Sequence, residues 1–210
     1  VSKAINSDDK LYLKNLLIKS SKNLLIVSGG LFLLINLNLT DFYDFVNQPG
    51  YSAAIGVVGI VSIGKLYSMS IGCLNNIISN SKYYPFIFWF SILSAIIAVV
   101  LNIILIPQYG IIGAAYATLF VIILINSLKL MLVAVNFKIC PYTFQTVKIV
   151  FVIIIVYMIF NHLELEFDSI SNIILRSILI VLIYSVLTYL LRLTRAVSYT
   201  HLTLPTIVGV

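Results

Sequence analysis

Lys65 is the residue whose type and position point most directly to chemistry. It lies in an apolar stretch over 53–77 that predicts one membrane-spanning helix. About midway along such a helix, a cation costs at least ~2.5–3.5 kcal/mol unless it faces water or a partner. At about 100° per residue, Ser62, Gly72 and Asn76 lie within about 60° of Lys65, which predicts a polar face of small residues. We therefore interpret Lys65, Ser62 and Asn76 as lining a cavity for an anionic substrate. Neutralisation by an internal partner and snorkelling are the alternatives.

Arg176 is a further candidate for this cavity. It lies close to the outer end of the last apolar segment, where snorkelling of the side chain to the interface is the simpler explanation.

The sequence contains no arrangement that is typical of an enzyme. His162 stands beside Glu164 and Glu166 in a short loop, where an exposed histidine is a commoner explanation than a metal ligand or a general base. Carboxylates in one short loop do not form the paired arrangement in a cleft that glycosyl transfer needs. No glycine-rich phosphate-binding loop is present either. We predict a protein that is not an enzyme and that uses no cofactor and no metal.

The composition requires lipid as the main solvent of the chain. Hydrophobic residues make up 61% and charged residues 10% of the 210 residues, and the mean hydropathy is +1.10. A soluble domain carries roughly 25% charged residues. The net charge of +6 is scattered between apolar segments, so nucleic-acid binding is not predicted. The sequence predicts an all-α transmembrane bundle with about six spans, at 23–39, 53–77, 86–106, 111–135, 144–160 and 170–193.

The charges predict the orientation of this bundle. Of the 13 lysines and arginines, all except Lys65 and Arg176 fall on one side of the predicted bundle. This side contains the segment before the first span, the segment after the last span, and the connections after the second and fourth spans. The opposite connections contain Asp41, Asp44, Glu164, Glu166 and Asp168 and no cation. By the positive-inside rule, both ends of the chain are predicted to face the cytoplasm.

The two ends of the sequence differ from its middle. The chain begins with Val1, and residues 1–22 are polar and rich in lysine, so we interpret the sequence as starting inside a longer protein. Residues 1–22 are expected to be a cytoplasmic or interfacial segment, in which 11–22 forms an interfacial helix or extends the first span into the cytoplasm. Residues 196–210 have no periodicity and resemble translated sequencing-adapter read-through, so 194–210 is treated as a non-native or disordered tail. The transmembrane domain is then 23–193.

The most specific motif joins the third and fourth predicted spans over 102–118. Pro107 is expected to end one helix, Gly110 to allow a tight turn, and the small residues that follow to permit close helix contact. Asn102 is expected to hydrogen-bond to the neighbouring helix. The residues that define this predicted hairpin are Asn102, Pro107, Tyr109, Gly110, Gly113, Ala114, Ala115 and Thr118.

This string closely resembles the corresponding segment of the multidrug/oligosaccharidyl-lipid/polysaccharide exporter superfamily, and above all the O-antigen-type polysaccharide flippases. The resemblance implies that these spans are the last six of a fourteen-helix protein whose N-terminal lobe is absent from this sequence. It further implies alternating access in the bacterial inner membrane, with an undecaprenyl-diphosphate-linked oligosaccharide as cargo. In that case Lys65 contacts the anionic diphosphate.

Three other functions stay open at this point. A cation-coupled multidrug antiporter has the same architecture, but it needs a carboxylate facing its cavity, and none is predicted inside a span here. A membrane polysaccharide polymerase or ligase needs a large external loop that handles sugar, whereas the external connections are short. A membrane subunit that transports nothing would leave the cost of Lys65 unexplained.

Overall fold

The computed structural model describes residues 9–46, 52–163, 167–191 and 193, and all regular structure among them is α-helical. The predicted all-α fold is therefore confirmed. The loop residues Glu164 and Glu166, Arg192, and the segments 1–8 and 194–210 lie outside the described residues. In chain order the helices are α1 (Lys10–Leu37), α2 (Leu39–Val46), α3 (Ser52–Ser70), α4 (Leu74–Ser79), α5 (Pro85–Tyr109), α6 (Ile111–Phe137), α7 (Phe144–Asn161) and α8 (Ser169–Leu190).

Five of these helices are long and apolar enough to cross a membrane: α1, α5, α6, α7 and α8. Helix α3 contributes a shorter apolar stretch, Ala54–Ser70. A helix that crosses the hydrocarbon core needs about 20 residues. The chain is therefore a multi-pass membrane protein. Of the six predicted spans, the one over 53–77 does not form a single long helix.

That segment consists of two helices because the chain turns at Gly72. Helix α3 ends at Ser70, Gly72 has a φ of +65°, and α4 begins at Leu74. A Cβ atom on Gly72 would lie 2.6 Å from the backbone nitrogen of Ser21 in α1, so the two backbones approach as closely as only glycine permits. The prediction of a single continuous helix here was wrong.

Helix α1 is longer than the predicted first span and includes much of the polar segment before it. Its 28 residues begin after Asp9, whose carboxylate accepts a hydrogen bond from the backbone N–H of Tyr12 at 2.9 Å. Buried positions recur at every fourth residue from Leu13 to Leu37, which is the spacing of one helix face. Of the two alternatives for the residues before the first span, the described part, from Lys10 to Lys22, extends the span.

Helix α1 lies at the centre of the bundle and contacts α3, α7 and α8. One hydrophobic cluster joins its C-terminal half to α7 and α8, through Leu33, Val156 and Ile180 among others. A second cluster joins its N-terminal half to α4 and α6, through Leu17, Ile77 and Val133 among others. Both ends of α1 are therefore fixed by packing against different partners.

The predicted hairpin over 102–118 is formed by α5 and α6. Helix α5 continues past Pro107 to Tyr109, so the expectation that Pro107 ends the helix was wrong. The helix ends at Gly110, whose φ is +59° and whose N–H still donates to the Ile106 carbonyl at 2.8 Å. Asn102 was expected to hydrogen-bond to the neighbouring helix. Its Oδ1 atom is buried and accepts no hydrogen bond.

The first small residue of the motif, Gly113, lies against the preceding helix. Ala115 and Ala117 are buried, while α5 itself contains no buried residue. The Tyr109 and Tyr116 rings meet edge to face, with their centroids 6.3 Å apart. A Cβ atom on Gly113 would lie 2.2 Å from the Leu105 carbonyl oxygen, so this glycine sets the distance between the two helices.

We expect Gly113→Ala to destabilise the protein by about 1–3 kcal/mol, because the added methyl group meets backbone atoms that cannot move alone. Gly56→Ala is the matched control, since its Cβ atom would meet only Ile112 Cδ1 at 3.9 Å. In a helix that substitution is expected to be neutral or to stabilise by up to about 1 kcal/mol. Thermal unfolding of the purified protein in nanodiscs measures both, and equal midpoints for the two variants would contradict the packing described here.

Candidate functional site

A groove with a volume of about 470 Å³ runs between α1 and α3 and contains Lys65. We call it the α1–α3 groove. Its walls are almost wholly apolar, with Lys65, Ser28 and Ser62 as the polar exceptions. The remaining lining residues are Leu31, Phe32 and Ile35 from α1 and Val57, Val58, Val61, Leu66 and Met69 from α3.

Lys65 is exposed in this groove, and no carboxylate pairs with it among the described residues. Its depth differs from the prediction, because α3 ends at Ser70. Lys65 therefore lies roughly 7.5 Å from the C-terminal end of its helix, at about 1.5 Å per residue, and not at the middle of a longer span. A lysine stem reaches much of that distance, so the electrostatic cost of its charge is lower than the sequence implied.

Ser62 lines the groove, but its hydroxyl is already engaged within the bundle. It donates to the Gly59 carbonyl at 2.9 Å and accepts from the Asn36 side-chain nitrogen at 2.9 Å. Asn36 also donates to the Phe32 carbonyl at 2.8 Å. The Ser62–Asn36 pair therefore connects α1 to α3 beside the groove, and of the predicted polar face only Lys65 presents an unpaired group there.

Asn76 and Arg176 are not part of this groove. Asn76 is exposed on α4, beyond the turn at Gly72, so the helical projection that placed it beside Lys65 does not apply. Arg176 lies on α8 at the opposite end of the bundle from the turn at Gly72. Neither residue comes together with Lys65, because the chain turns between Ser70 and Leu74 and because α8 packs mainly on α1, α2 and α7.

Arg176 instead belongs to a buried polar cluster where α1 ends, which we call the outer polar cluster. Its guanidinium forms an ion pair with Asp41 of α2, and the two side chains are only 12% and 15% exposed. The Nη1 atom also donates to the Leu37 carbonyl at 2.8 Å, and Nη2 donates to the Leu163 carbonyl at 3.3 Å. The guanidinium thus satisfies a carbonyl at the C-terminal end of α1, where a cation is favoured.

Two amide side chains complete the outer polar cluster. Asn172 of α8 donates to the second oxygen of Asp41 at 3.3 Å. Asn38 donates to Ser177 of α8 at 3.1 Å and to the Leu34 carbonyl at 2.8 Å. The bonds to Asp41 and Ser177 join the α1–α2 junction to α8.

Sequence reasoning missed the cluster because it assigned Asp41 to a solvated connection. The available signal was a carboxylate and a guanidinium near the outer ends of two predicted spans, opposite in charge but 135 residues apart.

The exposed His162 lies at the C-terminal end of α7. Its predicted neighbours Glu164 and Glu166 lie outside the described residues. The structure therefore gives the position of His162 and does not test its proximity to these two carboxylates.

No family model, no curated protein and no solved structure matches the chain.

We expect Arg176→Leu to lower the stability by about 3–5 kcal/mol, because it leaves the Asp41 carboxylate buried without its partner. The double variant Arg176→Leu with Asp41→Leu is expected to recover a large part of this loss, since it removes both charges. Asp44→Asn on the same short helix is the control, because Asp44 is exposed and should change stability by less than about 0.5 kcal/mol. Thermal unfolding in nanodiscs compares the three, and a double variant no more stable than Arg176→Leu would show that the ion pair is not the cause.

Proposed function

We propose that this chain is part of a transporter that flips an undecaprenyl-diphosphate-linked oligosaccharide across the bacterial inner membrane by alternating access. The observation that carries the proposal is an exposed, unpaired lysine in an otherwise apolar groove between two helices of a membrane protein. The resemblance of the 102–118 string to the polysaccharide flippases gives the class of cargo.

The chemistry of the α1–α3 groove is suited to an amphiphilic anion. Lysine provides a compact point charge with three donors, which suits phosphate oxygens in any orientation. The apolar walls suit a hydrocarbon chain, which loses no hydration when it leaves the bilayer interior for them. A cargo with a diphosphate next to an isoprenoid tail combines both requirements at one place.

The contact between α3 and α6 supports a moving surface next to this groove. Gly64 lies on α3 with the side chains of Leu119 and Ile122 close to it, at 3.2 Å from where its Cβ atom would be. Small residues at a helix contact let helices approach and slide with little steric interference. In the proposed cycle, α3 moves relative to α6, and the groove that holds Lys65 opens first to the cytoplasm and then to the outside.

The distribution of charge supports a cytoplasmic location for the end of the bundle that carries the N-terminus of α1. The lysines at this end lie in the first half of α1, in the α4–α5 connection and around the α6–α7 connection. Asp41, Asp44 and Asp168 lie at the opposite end. By the positive-inside rule, the lysine-rich end then faces the cytoplasm.

The cation-coupled antiporter would need a carboxylate available to an ion. Asp41 is a partly buried carboxylate, which makes it the group that such a mechanism would use. Both of its oxygens are engaged, one by Arg176 and one by Asn172. A resident guanidinium already occupies the place of a coupling cation, so the flippase is the function we propose.

In the full-length protein, Lys65→Ala is expected to abolish surface polysaccharide while leaving the abundance in the membrane unchanged. Lys65→Arg is expected to retain a substantial part of the activity, since the charge is what the anionic cargo requires. Lys82→Ala, which removes a lysine outside the groove, is the matched control and is expected to behave as the wild type. The measurement is surface glycan by immunoblot, normalised to the membrane abundance of each variant. Normal glycan in the Lys65→Ala strain would refute the role of this lysine.

A further inference from the structure

A second cleft lies at the lysine-rich end of the bundle, between α1 and the connection that joins α6 to α7. Its volume is about 440 Å³, and it is separate from the α1–α3 groove. We call it the basic cleft. Its walls are formed mainly by Lys14 and Ile18 of α1, Ala134 of α6, and Lys138, Ile139 and Tyr142 of the connection.

The basic cleft carries positive charge that nothing in the described residues compensates. Lys14 and Lys138 come from different elements and are both exposed at its walls. No lining residue is acidic, and neither lysine takes part in an ion pair among the described residues. Two like charges that border one cavity repel each other, and an anion that binds between them offsets this repulsion.

Lys138 occupies a backbone conformation that favours glycine. Its φ of 55° and ψ of 37° are left-handed, and it is the residue that directly follows α6. Helices commonly end on a left-handed residue, which is usually glycine because a side chain there costs roughly 1–2 kcal/mol. The chain thus places a lysine, at a cost to the backbone, at the wall of the cleft.

Apolar surface continues from the cleft along both helices into the membrane-spanning region. Met131 lies three residues before Ala134 on α6 and is 64% exposed. On α1, Ile18 lies one turn deeper than Lys14 and is itself a wall of the cleft. Residues three or four apart share a helix face, so an apolar surface borders the charged cleft on each helix.

The hydroxyl of Tyr142 adds a neutral polar group to the cleft. It lies 3.1 Å from the Ser70 hydroxyl, and partial burial raises the pKa of Tyr142 above its usual value. The side chain therefore stays protonated at neutral pH and adds no negative charge to oppose an anion.

We propose that the basic cleft binds the phosphate headgroup of an anionic phospholipid from the leaflet at this end of the bundle. Lys14 and Lys138 contact the phosphate, and the acyl chains lie along the exposed apolar surfaces that continue from the cleft. A free phosphate has the same charge chemistry, but it makes no use of the apolar surfaces. This site does not depend on the transport function proposed above, because it lies in a different cavity and binds a different part of the membrane.

The test is a titration of the purified full-length protein in detergent with phosphatidylglycerol that carries a fluorescent acyl chain. Phosphatidylcholine with the same chains is the neutral reference. We expect Lys14→Gln or Lys138→Gly to weaken phosphatidylglycerol binding about fivefold each, and the double variant about thirtyfold, from about 1 kcal/mol per lysine near a lipid headgroup. Phosphatidylcholine binding should be weak and unchanged.

Lys138→Gly separates binding from folding. It removes the charge and also the left-handed strain, so the thermal midpoint should stay the same or rise while phosphatidylglycerol binding falls. Lys138→Gln is the second variant, which removes the charge and keeps the side chain. Lys82→Gln is the charge-matched control outside the cleft and is expected to bind phosphatidylglycerol as the wild type does.

Three results would overturn the proposal. The first is equal affinity for phosphatidylglycerol and phosphatidylcholine in the wild type. The second is a loss in Lys82→Gln as large as the loss in Lys14→Gln, which would indicate net charge alone. The third is full competition by inorganic phosphate or glycerol phosphate at the same concentration as the lipid, which would make a soluble anion the ligand.

Discussion

The structure depends on the requirement that backbone polar groups be satisfied within the chain wherever the chain meets hydrocarbon. A helix meets this requirement internally, whatever its side chains face. Helix α5 shows the result most clearly, since it has no buried residue and Trp89, Val99 and Ile103 are each more than half exposed. In water such a surface would aggregate, whereas in lipid it needs no partner. Packing in the bundle therefore depends on small residues and on bonds between polar side chains, and not on hiding every apolar group.

Three pairs of polar side chains bond at the contacts between helices. Asn36 bonds to Ser62 between α1 and α3, Asn38 bonds to Ser177 between the α1–α2 junction and α8, and Arg176 pairs with Asp41 between α8 and α2. An unpaired polar group in hydrocarbon costs several kcal/mol, so each of these pairs also specifies which helices are neighbours. Lys65 differs from these residues, because it is charged and has no such partner among the described residues.

Helix α1 relates the three polar features of the molecule to each other. Its 28 residues extend over roughly 42 Å at about 1.5 Å per residue. Lys14 lies at the basic cleft, Phe32 and Ile35 line the α1–α3 groove, and the Leu37 carbonyl binds the guanidinium of Arg176. A single rigid element therefore holds the cleft, the groove and the ion pair in a fixed order along the membrane normal.

The sequence was sufficient for the class of fold, because hydropathy and length determine membrane helices directly. The hairpin at Gly110 was also predictable, since few residues other than glycine adopt its backbone angles. The break at Gly72 was not, because a glycine inside an apolar segment is common in membrane helices, and the close approach of the Ser21 backbone arises only from tertiary packing. The pairing of Asp41 with Arg176 was not predictable either, since it joins residues that only tertiary packing brings together. The unpredicted turn at Gly72 also changes the site, because it places Asn76 away from Lys65 and brings Lys65 closer to the end of its helix.

The proposed function requires that Lys65 face a groove that a hydrated, anionic headgroup can enter. The most direct test is thiol labelling in a full-length protein that carries Cys73→Ser and Cys140→Ser, since a methanethiosulfonate reagent reacts only with a hydrated thiolate. Lys65→Cys should react rapidly with a charged methanethiosulfonate. Ile63→Cys should react slowly or not at all, because residue 63 is two positions away on the same helix, exposed and outside the groove. Equal rates at the two positions, or no reaction at residue 65, would show that Lys65 lies on an ordinary lipid-facing surface and not in a hydrated groove.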